Sequence, residues 1–148
     1  MSLKYGKGLT FIELITVIGI IALVAAVLVV SFGPLSSLRL EAEALKLISE
    51  LNRVRQAALS RHQNYTITFD SADDSYQVSS ESGDERRNNS LAADLTSVTD
   101  FSGSPANQTL FYYPGGTSQE RIINLSYGGI SRSIRLFPRT GYARMELN

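Results

Sequence analysis

A run of apolar and small residues from Leu14 to Val30, interrupted only by Thr16, is headed by a lone acid, Glu13. Lys4, Lys7 and Gly8 precede it. As an α-helix the run would span about 25 Å, and Leu9 to Phe32 about 36 Å, against a bilayer hydrocarbon core of about 30 Å. The segment is long enough to cross a membrane once. The leading lysines place the leader in the cytoplasm and everything after Ser31 outside. A carboxylate at the membrane boundary is costly, so Glu13 is a candidate functional residue.

Two ordinary explanations of such a segment fail on particular residues. A secretory signal peptide is cut after its apolar core, at an A-x-A-like site. Ala22, Ala25 and Ala26 do not have that spacing. A plain signal anchor explains the lysines and the hydrophobicity but not Gly8 close to Glu13.

The stretch Lys7-Gly8-Leu9-Thr10-Phe11-Ile12-Glu13-Leu14, with the apolar run behind it, resembles the processing site of type IV pilins and type II secretion pseudopilins. The resemblance implies that a prepilin peptidase cuts between Gly8 and Leu9 on the cytoplasmic side. The same enzyme would methylate the new amino terminus on Leu9, which stands where the family usually has phenylalanine. Glu13 would become the fifth mature residue and accept the positive charge of a neighbouring subunit's terminal amine during assembly.

Beyond the run, Gly33-Pro34 predicts a kink or break, because proline lacks an N–H and its ring clashes with the carbonyl one turn back. Leu40, Ala44, Leu47, Leu51, Val54 and Ala58 then recur at alternating steps of four and three, with Ile48 widening the stripe. Glu41, Glu43, Lys46, Glu50, Arg53 and Arg55 fall largely elsewhere, so an amphipathic helix is predicted, ending near Arg61 to Asn64. His62, the one histidine, sits at that end, where a cation is mildly favoured.

The remainder reads as β-structure. Tyr65, Ile67 and Phe69 alternate with polar residues, and Tyr76 to Ser79 returns as the second arm of a hairpin. Glu81 to Ser90 has no apolar residue and is expected to be a mobile surface loop. Leu91 to Phe101 fits neither pattern. Leu110 to Tyr113, Arg121 to Leu125, Ile130 to Phe137 and Tyr142 to Leu147 are predicted strands, joined at turns rich in glycine and proline. Such short strands predict a small antiparallel sandwich with the helix against one side.

The segment Phe111-Tyr112-Tyr113-Pro114-Gly115-Gly116 and the closing Thr140-Gly141-Tyr142-Ala143-Arg144 resemble the soluble domain of the GspH/FimT family of minor pseudopilins and minor pilins. The helix end Arg55-Gln56-Ala57-Ala58 and the strand Tyr65 to Phe69 suit it too. The implied fold is α+β and pilin-like, a long amino-terminal helix on a small antiparallel β-sandwich. The implied organisation is a leader over 1–8, a transmembrane helix over 9–33, an amphipathic helix continuing over 34–63 and a β-rich periplasmic domain over 64–148. The implied function is a minor pseudopilin of the type II secretion pseudopilus, held in the inner membrane by a single pass until it assembles with other pseudopilins. The alternative is a minor type IV pilin for pilus assembly or DNA uptake.

Nothing in the sequence points to catalysis or a cofactor. No G-x-S-x-G, H-E-x-x-H or P-loop is present, and there is no cysteine. Asp70, Asp73 and Asp74 lack the spacing of an EF-hand loop and fit a turn. The net charge is zero but unevenly spread: acids concentrate between Asp70 and Asp100, and Arg121, Arg132, Arg135, Arg139 and Arg144 follow Glu120. Arg135, Arg139 and Arg144 are candidates for a phosphate or partner contact. Side chains alternate along a strand, so the basic surface is expected to be split and DNA binding weak, with the acidic loop Glu81 to Glu85 repelling phosphate if it lies close.

Overall fold

The computed structural model describes residues 10–146 apart from Phe32, Phe101 and Ala106, and omits the side chains of 27–34. Two helices come first, α1 (Phe11–Ser31) and α2 (Gly33–Arg61). Helix is described on both sides of Phe32, which itself lies outside the described residues. Pro34 falls in the first turn of α2, where a missing N–H breaks no helical bond. The residues up to Leu35 and those from Ser36 onward form two compact units.

In the first unit, every described side chain of α1 from Phe11 to Ala26 is exposed. Among the described residues no helix is long and apolar enough to cross a membrane. The expected crossing over 9–33 extends beyond the residues whose side chains are described.

In the second unit α2 buries the predicted stripe. Leu40, Ala44, Leu47, Leu51, Val54 and Ala58 are all fully enclosed, and Ile48 packs at the margin. The helix stops at Arg61, and His62 takes a left-handed conformation (φ 53°), a common way to end a helix.

Among the described residues eight strands follow: β1 (Tyr65–Asp70), β2 (Ser75–Ser80), β3 (Arg86–Ser90), β4 (Asp94–Thr99), β5 (Thr109–Tyr112), β6 (Arg121–Tyr127), β7 (Ile130–Leu136) and β8 (Ala143–Glu146). They form two four-stranded antiparallel sheets. Sheet A has the order β3-β2-β1-β5 and sheet B the order β4-β6-β7-β8. Alternation puts Tyr65, Ile67, Phe69, Tyr76, Val78, Leu110 and Tyr112 of sheet A in one core with Leu95, Val98, Ile123, Leu125, Ile134, Leu136 and Ala143 of sheet B and the α2 stripe. The α+β architecture is the expected one.

The expected mobile loop over Glu81 to Ser90 is corrected: its second half is β3, in register with β2 from Ser75↔Ser90 to Ser79↔Arg86. An apolar pattern could not reveal this strand, because it covers no core and is held by backbone pairing and charge. Leu91 to Phe101, unassigned from sequence, contains β4, whose pairing with β6 shifts between Leu95 and Ser97 at a bulge.

Candidate functional site

The sequence placed its sharpest chemistry at the amino terminus. Gly8 and Leu9 lie outside the described residues. Glu13 sits in the first turn of α1, where its N–H donates to the Thr10 carbonyl (3.0 Å) and to Thr10 Oγ1 (3.3 Å). Thr10 therefore caps the helix, and Glu13 occupies the third helical position, where a carboxylate also suits the positive end of the helix dipole. Capping accounts for an acid here without assembly. It does not account for the exposed apolar surface that follows, with Phe11 79 % and Ile12 75 % exposed.

The second constellation is carboxy-terminal in α2. Arg55 donates from Nε to the carbonyl of Gly116 (3.2 Å) and to that of Thr140, and its guanidinium lies 4.1 Å from the centroid of the Tyr142 ring. The turns after β5 and after β7 thereby meet on one side chain. They also touch each other: the Ser118 N–H donates to the Pro138 carbonyl at 3.0 Å. Gly116 (φ 72°) and Gly141 (φ 64°) are both left-handed, and a Cβ on Gly141 would lie 2.1 Å from the Gly116 oxygen. Only glycine fits that approach. The Tyr112 hydroxyl is buried nearby; burial raises its pKa, with the Arg55 charge opposing.

A third group ties α2 to sheet A. Glu50 accepts from Arg53 Nε (2.9 Å) and Arg87 Nη2 (2.8 Å). Glu85 lies within 3.2 Å of Arg53 and Arg61 and 3.1 Å of Arg87, and accepts from the Tyr65 hydroxyl at 3.2 Å. Burial and then the Glu85 carboxylate raise the Tyr65 pKa. Tyr76 is pushed up to about 12, by burial first and then by Glu50 and Glu43. Glu85 is thus held among arginines rather than presented as a repelling loop, and Glu81 accepts from Asn64 Nδ2 at 2.7 Å.

The candidate arginines of sheet B are partly brought together. Arg135 of β7 stands directly opposite Arg144 of β8, so the two share a face. The expectation of a split surface is corrected for this pair, because the hairpin register aligns them. Arg135 also pairs with Glu146 (3.3 Å), and Arg135, Phe137, Arg144, Met145 and Glu146 line a depression of about 300 Å³. Arg139 is exposed in the intervening turn and does not line it. Arg132 is one step out of phase with Arg135 and belongs to the opposite face. Among the described residues no three imidazole or carboxylate groups converge as a metal site.

Sequence reasoning missed the Glu50–Arg53–Arg61–Glu85–Arg87 group. Its signal was a second stripe on α2, Glu50, Arg53, Ala57 and Arg61 at steps of three and four, beside the apolar one. The Arg55 contacts had no such signal, being distant in the chain.

No protein-family model matches the sequence, and no curated protein does. The fold does have solved counterparts. The chain is similar to the minor pseudopilin EpsH from the type 2 secretion system of Vibrio cholerae, with a TM-score of 0.58 and 14 % identity, over 73 % of this chain and 96 % of that one. It is also similar to the type IV minor pilin FimU of Pseudomonas aeruginosa, with a TM-score of 0.53 and 20 % identity, over 73 % of this chain and 88 % of that one. The fold is pilin-like.

Proposed function

We propose that this chain is a minor pseudopilin, a structural subunit of a type II secretion pseudopilus. The observation that carries the reading is α1: a 21-residue helix, apolar apart from Glu13, Thr16 and its last residue Ser31, exposed wherever its side chains are described, and attached in sequence to a pilin-like domain. Exposed apolar surface of this extent calls for lipid or other protein. The lysines before it and the apolar run to Val30 support a single pass of the inner membrane, amino terminus in the cytoplasm and sheets in the periplasm. On α2, Leu38 (63 % exposed) and Leu45 (53 % exposed) with Ala42 between them continue an apolar seam away from the core. That seam suits the helix of an adjoining pseudopilin or pilin.

In this reading a prepilin peptidase removes residues 1–8 and methylates Leu9. The freed helix passes from bilayer to fibre, and Glu13 takes the charge of a neighbour's terminal amine. Pairing relieves the cost of a carboxylate in an apolar surround and fixes axial register. The chain's role is mechanical rather than catalytic. The test is Glu13→Ala in cells making the partner pilins: it should insert and be processed but enter fibres poorly. Incorporation equal to the parent's would remove the pairing role. The second reading, a minor type IV pilin, is favoured by the opposed Arg135 and Arg144, which could meet phosphate in DNA uptake.

A further inference from the structure

The two sheets have four outer edges, and on two of them, β4 and β5, other parts of the chain make contacts. On β4, Leu95 N–H donates to Asp74 Oδ1 at 2.8 Å and Thr99 bridges to Pro105. Along β5, Tyr112 bridges to Ser118 and Tyr113 N–H donates to the Thr117 carbonyl at 3.0 Å. Strand β3 presents Arg86, Arg87, Asn88 and Asn89, charged and polar residues of the kind that discourage strand addition. Strand β8 ends sheet B with Ala143 and Met145 alternating with charged residues, and among the described residues no strand or bridge pairs with its outer side.

We propose that β8 is a docking edge for an extended acidic segment of another polypeptide. Phe137 N–H donates to the Tyr142 carbonyl at 3.0 Å and its carbonyl accepts from the Gly141 N–H at 2.8 Å, so the Phe137 backbone is turned toward the β8 side. Antiparallel alternation then turns the backbone groups of Arg144 and Glu146 toward β7, and those of Ala143 and Met145 outward. Two N–H and two C=O groups thus await a strand. Its side chains would alternate between two surfaces. One is the face of Arg144, which is exposed; Arg135 opposite it is already paired with Glu146 (3.3 Å), so a carboxylate of the incoming strand would meet Arg144. The other is Met145, half-buried against the core. The fitting partner therefore alternates carboxylate and apolar residues. Duplex DNA fits less well, because Glu146, Phe137 and Met145 line the same depression as Arg135 and Arg144. The edge binds its strand whichever machine the chain serves, so this inference and the assembly reading fail separately.

The test uses the full chain in detergent micelles and fluorescence polarisation of a labelled peptide, acetyl-Val-Asp-Val-Asp-Val-Asp-Val-amide. Saturable binding is expected, weakened at least about tenfold by lysine for aspartate in the peptide and by Arg144→Glu in the protein. N-methylation of one alternate set of peptide nitrogens should abolish binding and that of the other set should not. Arg144 is exposed, and unchanged thermal unfolding of the variant would verify its fold; if it unfolds, Arg144→Gln replaces it. Equal binding of the lysine peptide, indifference to both methylated sets, or displacement by a duplex oligonucleotide without any effect of methylation would each overturn the proposal.

Discussion

Arg55 and Tyr142, 87 positions apart in the sequence, meet with guanidinium over ring at 4.1 Å. The same guanidinium binds the carbonyls of Gly116 and Thr140. One side chain of α2 thereby joins the turn that follows sheet A's last strand to the turn that closes sheet B. Arg55→Ala should lower stability by about 2 kcal/mol, since it strands two carbonyls and a ring contact. Gly141→Ala should cost about 3 kcal/mol, because its Cβ would enter the Gly116 oxygen at a left-handed backbone. Thermal or denaturant unfolding of both variants checks this order.

The arginines around Glu85 predict a local effect. Glu85→Gln removes a charge that three guanidiniums approach, and the arginines are 38–53 % exposed, so solvent tempers the loss. The expected cost is about 1–2 kcal/mol. It should appear first as faster amide exchange in β3, with β1 little affected. Uniform acceleration across sheet A would contradict the assignment of β3 to this group.

Alkaline titration offers a check on the core. Tyr65, Tyr76 and Tyr112 all ionise later than free tyrosine, Tyr76 at about 12. A raised folded pKa means that the unfolded chain loses its proton first. Stability is therefore full below about pH 10 and falls as pH rises from there through the folded values. Tyr76→Phe should flatten that fall, measured as the unfolding midpoint against pH.

The amphipathic stripe of α2 and the strands β1, β2, β6 and β7 were legible because burial imposes a period on apolar residues. β3 was not legible. Arg86 to Ser90 buries no apolar side chain, so its strand character rests on the register with β2 and on Arg87 reaching Glu50 across the fold. Likewise, single-strand alternation separates Arg132 from Arg135 correctly but says nothing of Arg144. The facing of Arg135 and Arg144 depends on a hairpin register fixed by the turn through Gly141. At the amino terminus the motif was plain in the sequence, and Gly8 and Leu9 lie outside the described residues.

The opposed arginines also bear on DNA. Arg135 is engaged by Glu146 and Arg139 does not join the depression, so duplex binding should be weak near physiological salt and fall steeply as salt rises. A polarisation titration with a short duplex measures it. Tight binding abolished by Arg144→Ala would promote the DNA-uptake pilin over the pseudopilin.

The contacts of α2 have a mechanical consequence. Arg53 and Arg61 hold it to Glu85, just before β3, and to Tyr65 of β1, while Arg39 reaches the Tyr127 hydroxyl of β6 (3.2 Å) and Arg55 the Thr140 carbonyl in the turn between β7 and β8. A load applied along α2 would be shared between its contacts to both sheets. The domain should therefore resist traction as a unit and yield in one step.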